Sequence, residues 1–269
     1  MELTLHHGDC LEVLKTIPDK SVDLIICDLP YGCLTGGGIT NKETAEKYGR
    51  KGTEGGCAWD IKIDLTKFWE QVKRIRKSDH TPTIHFCTTK FGYEIIKSNE
   101  SEFRYDLVWD KQRGVSFLSA NKMPMRSHEM IYVFSKAGAF YERKDITGDF
   151  KGWKVDKKKE TSETSTLAST QYGGAKKTSG EGGDGKRCAL SVIQNTTASK
   201  KGGHPTEKPE SLYRFLIERY CPPGGTVLDP TFGSGNSVFT AFAMGRSAIG
   251  IEKDEKFFKK AEERLNALP

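Results

Sequence analysis

Long apolar runs are missing from this chain. No stretch of its 269 residues approaches the roughly 18 to 20 consecutive apolar side chains that a membrane span needs, so no transmembrane helix is expected. The opening residues, MELTLHHGDC, hold neither a basic patch nor an apolar one, and no secretory signal is expected. Cysteine is sparse and scattered: seven residues, an odd number, at positions 10, 27, 33, 57, 87, 188 and 221, with no C-x-x-C among them. That pattern suggests neither a zinc site nor a disulfide framework, and it fits a reducing cytoplasm. His204 has no partner at ligand spacing, so no metal is expected. A strong charge of one sign is lacking too. The net charge of +6 is too small to name a partner. Its location says more, because residues 139–202 carry 13 Lys and Arg against 8 Asp and Glu. That segment is either a basic contact surface or a solvated loop.

What is present suits one large α/β domain, or a domain with an insertion. Hydrophobic residues make up 36% and charged residues 29%, enough apolar content for a substantial core. Leu3–Leu5 reads as a strand running out at His6-His7-Gly8-Asp9. Cys10–Ile17 has apolar residues at helical spacing and Pro18 stops it. Val22–Cys27 reads as a buried strand. From Cys33 to Cys57 the text is polar and glycine-rich, which predicts a long mobile loop of functional or disordered character. Helices are expected over Leu65–Lys77, Phe91–Ser98, Glu210–Tyr220, Val238–Met244 and Glu255–Leu268. Strands are expected over Thr83–Cys87, Tyr105–Trp109, Met130–Phe134, Thr226–Leu228 and Ala248–Ile251. Between Ala139 and Gly203 the text is rich in Lys, Gly, Ser and Thr with no sustained period, and reads as an insertion outside the core sheet. Strands alternating with helices at this spacing imply a doubly wound, mostly parallel sheet.

Two stretches carry chemistry. CDLPYG, residues 27–32, closes the apolar run VDLII. It can be an ordinary strand-to-loop turn, since proline ends strands and aspartate favours turns. It can also be a site, because open α/β sheets place ligands at the carboxyl ends of their strands. The second stretch is VLDPTFGSGNSVFTAFAMGRSAIGIEKD. Here a strand ends at Asp229, the loop Phe232-Gly233-Ser234-Gly235 opens a helix, and the next strand ends at Glu252. This is the plan of a nucleoside-binding βαβ unit, with glycines that admit a ligand and a distal acid for ribose hydroxyls. A dinucleotide fingerprint would have a third glycine where Val238 stands, and Asp229 at a strand tip would repel a phosphate. S-adenosylmethionine has a sulfonium and an amino group and no phosphate, and it suits the site.

Taken together these motifs resemble those of the amino-group DNA methyltransferases. DLPYG is similar to the family's catalytic D-P-P-Y, DPTFGSGNS to its cofactor motif D-P-F-x-G-S-G-T, and HPTEKP at 204–209 to its H-P-T-Q-K-P. WDK at 109–111, RSHEMIYVFSK at 126–136 and the opening GDCLEVLKTIPDKSVDLIICDLPYG resemble family segments as well. The catalytic motif precedes the cofactor motif, as in the permuted β group. The likeness covers about residues 3–136 and 204–268 and stops at the 139–203 segment, where the family's target-recognition region would lie.

The resemblance implies a Rossmann-like core over residues 1–138 and 203–269, with 139–202 as an inserted target-recognition region. It implies S-adenosylmethionine as cofactor, double-stranded DNA as partner, and methyl transfer to adenine N6 in a specific sequence after base flipping. Cytosine N4, or RNA as substrate, stays open. It also leaves open a homodimer and a cognate restriction endonuclease. The catalytic residues would be Asp28, Leu29, Pro30 and Tyr31. Asp28 and the main-chain carbonyl of residue 29 accept from the target amine, and Tyr31 offers a face to a flipped base. Leu29 departs from the family's proline; a carbonyl remains, with less rigidity. Asp9, Cys10, Asp28, Lys208, Asp229, Thr231, Phe232, Gly233, Gly235, Asn236, Glu252 and Lys253 would surround the cofactor, with Thr206 as a further lining residue. Lys157, Lys158, Lys159, Lys176 and Lys177 would meet DNA phosphates. Plainer roles compete: Asp9 as a helix cap, Glu252 as a surface acid beside Lys253, the lysine run as a solvated stretch. Two other functions compete as well, a nucleotide-dependent oxidoreductase and a nucleic-acid-binding protein with a degenerate site.

Overall fold

A computed structural model of the chain describes residues 1–32, 61–115, 117, 120–144, 146–147, 186–195 and 207–268. The Cys33–Cys57 loop, Lys157, Lys158, Lys159, Lys176, Lys177, His204 and Thr206 lie outside the described residues. The chain divides into two compact units, Met1–Glu142 with Leu190–Pro269, and Arg143–Ala189.

The larger unit is built on an eight-stranded sheet. In chain order its elements begin with β1 (Leu3–His7), α1 (Cys10–Val13), β2 (Leu24–Cys27), α2 (Leu65–Ile75), β3 (Thr83–Cys87) and α3 (Thr89–Ser98). They continue through β4 (Phe103–Val115) and β5 (Arg126–Phe134). In the smaller unit, β6 (Ile146–Thr147) and β7 (Lys186–Arg187) form an antiparallel ribbon. The larger unit resumes with β8 (Val192–Gln194), α4 (Glu210–Tyr220), β9 (Thr226–Asp229), α5 (Asn236–Ala243), β10 (Ser247–Glu252) and α6 (Glu255–Asn266). The sheet order is β1-β10-β9-β2-β3-β5-β4-β8, with only β5 running against its neighbours.

Side chains alternate across a strand, and here each alternation feeds a core. Leu24 and Ile26 join one buried cluster with Ile84, Phe86, Leu212, Leu216 and Phe239, covered by α4, α5 and α6. Ile25 and Cys27 join the other with Leu14, Phe68, Trp69, Val72 and Ile95, covered by α1, α2 and α3. Strands buried on both faces read as unbroken apolar runs, which is how LIIC reads. The sheet is therefore doubly wound. The crossovers β2-α2-β3 and β9-α5-β10 lie on opposite faces, so winding reverses between β2 and β9. A crevice outside the carboxyl ends opens at such a reversal.

Helix starts follow local hydrogen bonding. Asp64 accepts from the Thr66 and Lys67 amides, and Asp254 from those of Lys256 and Phe257. Among the described residues no helix is long and apolar enough to cross a membrane.

The structure departs from sequence expectation at three places. Regular α-helix from Cys10 ends at Val13 and tightens into a 3-10 turn over Leu14–Thr16, where the Thr16 hydroxyl donates to the Val13 carbonyl at 2.8 Å. β4 and β5 run past the apolar cores of their strands as the arms of a hairpin with a bulge after Asp110, and those arms are polar and mostly exposed, with Lys111 and Glu129 half-buried. The third departure is β8. It comes from within the segment set outside the sheet, yet it pairs parallel to β4 and buries Ile193. Its three residues bury a single side chain, too short for a period. Tertiary bonds hold it: the Val108 amide donates to Ser191 at 2.8 Å, and Trp109 Nε1 to the Asn195 carbonyl at 2.8 Å.

Candidate active site

The carboxyl ends of β1, β10, β9 and β2 lie side by side, and each is followed by an acid or ends in one: Asp9, Glu252, Asp229 and Asp28. A cavity of about 490 Å³ opens over them, in the range of small-molecule sites. Asp9, Cys10, Asp28, Pro30, Lys208, Thr231, Phe232, Gly233, Glu252 and Lys253 all line it. Leu29, Tyr31, Asp229, Gly235 and Asn236 do not.

The glycine loop owes its shape to backbone needs. Gly233 and Gly235 have φ of 54° and 81°, the left-handed region that side chains avoid. A Cβ on Gly235 would stand 2.9 Å from the Phe239 ring. The loop is tied at both ends. The Phe232 amide donates to the Ile251 carbonyl at 3.0 Å, and the Gly233 amide to Glu252 Oε2 at 2.9 Å. Glu252 Oε1 accepts from the Asp254 amide at 2.7 Å. Glu252 is thus an architectural acid at the cavity wall, and burial holds its carboxyl above the usual glutamate value despite those amides.

Asp9 is the helix cap of α1 and also lines the cavity. Its Oδ1 caps α1 by accepting from the Leu11 amide at 3.0 Å, while Oδ2 meets Lys253 Nζ at 3.0 Å on the cavity rim. Partial burial opposes ionisation, but Lys253 and the Leu11 amide outweigh it and hold the carboxyl below the usual aspartate value. Lys253 therefore belongs to Asp9 across the sheet, not to its neighbour Glu252.

Asp229 is buried beneath the cavity floor. Oδ1 accepts from the Thr231 amide at 2.9 Å and Oδ2 from the Ser237 hydroxyl at 2.5 Å. Burial pushes its carboxyl up to about 7, against the pull of both bonds. Asn236 is buried too. Its amide donates to Glu207 Oε1 at 2.6 Å and to the Lys208 carbonyl at 3.0 Å, which fixes the chain entering α4 against the glycine loop.

Asp28 sits where β2 leaves the sheet. Its main-chain carbonyl accepts from Thr231 Oγ1 at 3.1 Å, joining the two loops at the winding reversal. Its Oδ1 accepts from the Tyr31 hydroxyl at 2.8 Å, and its Oδ2 from Lys208 Nζ. Tyr31 leans on Phe91 with ring centroids 5.1 Å apart. Burial and the Asp28 charge push its phenol well above the usual range, so it stays a donor. Leu29 is buried in the core where the family has proline, so packing supplies the restraint that the ring would give. Lys208 is fully buried, 4.7 Å over the Phe86 ring. Burial alone would favour its neutral form, but Asp28 and Glu129 reverse that and hold the ammonium above the usual lysine value.

Sequence reasoning missed several residues here. Tyr213 and Glu207 line the cavity and Glu129 faces Lys208. Tyr213 lies one turn past the HPTEKP motif and reads as core. Glu129 sits at the polar end of β5, where an acid followed by MIYVF is the only signal, and the antiparallel return of β5 beside β3 brings it to Lys208.

A doubly wound sheet with a nucleoside-sized cavity, a glycine loop between β9 and α5, and an acid-proline-tyrosine loop after β2 defines a methyltransferase-type enzyme. The lining fits S-adenosylmethionine: its carboxylates suit a cationic ligand, and the positive-φ glycines keep side chains out of the cradle. A family model described as DNA methylase, of the N6/N4 methyltransferase type, matches residues 22–263. The chain belongs to that family of S-adenosylmethionine-dependent DNA methyltransferases. It is 29% identical over 277 aligned positions to the type II methyltransferase M.HinfI of Haemophilus influenzae, covering 98% of this chain and 68% of that protein. Its fold is similar to that of the cytosine-N4-specific PvuII DNA methyltransferase, with a TM-score of 0.64, 16% identity, and coverage of 100% of this chain and 89% of that one. It is similar as well to M1.HpyAVI in its S-adenosylmethionine complex, with a TM-score of 0.57, 18% identity, and coverage of 98% and 100%.

Proposed function

We propose that the protein methylates adenine N6 in a specific sequence of double-stranded DNA, on a base flipped out of the duplex. The observation that carries the reading is Asp28, a carboxylate at the cavity wall anchored through its own carbonyl to the cofactor loop. An exocyclic amine is a poor nucleophile because its lone pair is delocalised into the ring. Two acceptors on its hydrogens localise that pair and aim it at the methyl group. Asp28 supplies one acceptor by its side chain, and the main-chain carbonyl of Leu29 the other. S-adenosylmethionine supplies an electrophilic methyl group when bound. Glu252 and Asp9 hold its adenosine part and the loop from Thr231 to Gly235 its remainder. Tyr31, beside Asp28, offers a face on which the flipped base stacks.

Adenine is favoured over cytosine by the aspartate at the first position of the tetrapeptide. In the β group, aspartate there goes mostly with adenine N6, and serine with cytosine N4. The likeness to a cytosine-N4-specific enzyme supports the second reading, but it is a likeness of fold. Nucleoside mass spectrometry of DNA methylated in vitro separates them: N6-methyladenine is expected, and N4-methylcytosine alone refutes the choice of base.

Target choice belongs to the part of residues 139–202 outside β8, by the charge of the segment and its place between the two halves of the core in sequence. Neutralising Lys157, Lys158 and Lys159 together should flatten the salt dependence of DNA binding by up to about one unit of log-log slope per lost phosphate contact. An unchanged slope leaves that run as solvated charge.

A further inference from the structure

Four charges alternate in a row through the buried Lys208, the other three half-buried. The ammonium contacts Asp28 Oδ2 on one side and stands 3.7 Å from Glu129 Oε2 on the other. Glu129 Oε1 is held by Lys111 Nζ at 2.5 Å, and Lys111 in turn lies 5.0 Å over the Trp109 ring. One atom in the row is left over. Glu129 Oε2 is buried and has no hydrogen-bond partner among the described residues, although a buried carboxylate oxygen strongly favours one. Among the described residues, the cation facing it is Lys208, already bonded to Asp28.

We propose that Lys208 is a transferable positioning cation, whose passage from Asp28 Oδ2 to Glu129 Oε2 releases the catalytic acceptor to the target amine. This rests on the methyltransferase role proposed for Asp28. As the methyl group moves onto the amine, positive charge grows on the nitrogen. An ammonium on the same carboxylate opposes that charge, in surroundings where Coulomb terms are screened less than in bulk water. Glu129 gives the ammonium somewhere to go without leaving a bare buried charge, which would be costly. The distance is short: closing a 3.7 Å gap to hydrogen-bond length takes under about 1 Å of travel, within the reach of a lysine rotamer change. Lys111 keeps Oε2 aimed by occupying Oε1. Glu129 does not line the cofactor cavity, so its role is separable from cofactor binding. The charge states agree: Lys208 and Lys111 outweigh burial and hold the Glu129 carboxyl below the usual value, so it remains an anion ready to receive.

The test compares wild type, Glu129→Gln and Glu129→Asp by single-turnover methylation of a duplex that the wild type modifies, with cofactor affinity by calorimetry. Glu129→Gln should lower the methylation rate about tenfold or more, with cofactor Kd and DNA KM within about twofold. Glu129→Asp, which keeps the charge, should recover most of the rate. A Glu129→Gln rate within twofold of wild type overturns the proposal. So does a parallel loss of cofactor affinity, which marks a structural role. A second measurement needs no change at Glu129. In wild type labelled with 15N at lysine Nζ, the Lys208 resonance, assigned with Lys208→Arg, should shift when the duplex and S-adenosylhomocysteine are added together. An unmoved resonance overturns the transfer. A wild type that leaves all DNA unmodified removes the functional reading, and the inference with it.

Discussion

The Gly233 amide donates to Glu252 Oε2 across 2.9 Å, and this bond ties the glycine loop after β9 to the tip of β10. Glu252→Ala should therefore act twice, removing a cavity carboxylate and releasing the loop. We expect cofactor affinity to fall about tenfold or more, the scale of one hydrogen bond to a charged group. Calorimetric titration with S-adenosylmethionine measures it, and an unchanged Kd places the cofactor elsewhere.

Gly235→Ala tests the same loop through the backbone. The residue must hold φ of 81° with its new methyl group 2.9 Å from the Phe239 ring. The loss of stability should be about 1–3 kcal/mol, with weaker cofactor binding alongside. Denaturant melts with and without cofactor read both.

Asp28→Asn should leave the cofactor bound and reduce methyl transfer on the order of a thousandfold. The amide is close in size to the carboxylate but a weaker acceptor, and it no longer balances Lys208. Cofactor titration and turnover on the same preparation give the split; wild-type turnover would refute the catalytic assignment.

His85 lies fully buried among Phe68, Trp69 and Phe134 with neither ring nitrogen hydrogen-bonded among the described residues, and burial pushes its imidazole down to about 3. A depressed histidine value means the unfolded chain takes up the proton first. The stability it allows is present above the unfolded value of about 6.5 and is lost towards pH 3, by up to about 1.4 kcal/mol per pH unit. Relative to wild type, His85→Phe should gain stability progressively as pH falls below about 6.5, as followed by urea melts over pH.

Asp229 predicts the opposite slope. Its carboxyl, raised to about 7, binds a proton in the folded state that the unfolded chain has released above about 4. That contribution is complete at low pH and is lost as pH rises towards 7, on the order of 4 kcal/mol in all. Asp229→Asn mimics the protonated form. Its stability relative to wild type should climb between pH 4 and pH 7 and then level off. A flat difference would mean that Asp229 is ionised throughout.

Much of the fold was legible in the residues. The apolar run LIIC, the helix over Glu210–Tyr220 and the strand over Thr83–Cys87 stand where their patterns put them, because each buries a full face and so carries a full period. The glycine loop and the acids after β1, β2, β9 and β10 were legible for another reason: positive φ and exposed strand ends restrict residue type locally. β8 was not legible, since its place depends on bonds to β4 and one buried Ile193. Nor was the division of labour among the acids. Asp229 looks in sequence like a ligand residue and lies beneath the floor; Lys253 follows Glu252 in sequence and pairs with Asp9. Glu129 came to Asp28 and Lys208 only because β5 returns antiparallel beside β3. Sequence specified which side chains point into which core and where strands end, since those are properties of periods and turns. Tertiary structure decided which charge meets which, because ion pairs join residues far apart in the chain and their strength depends on burial that no local pattern records.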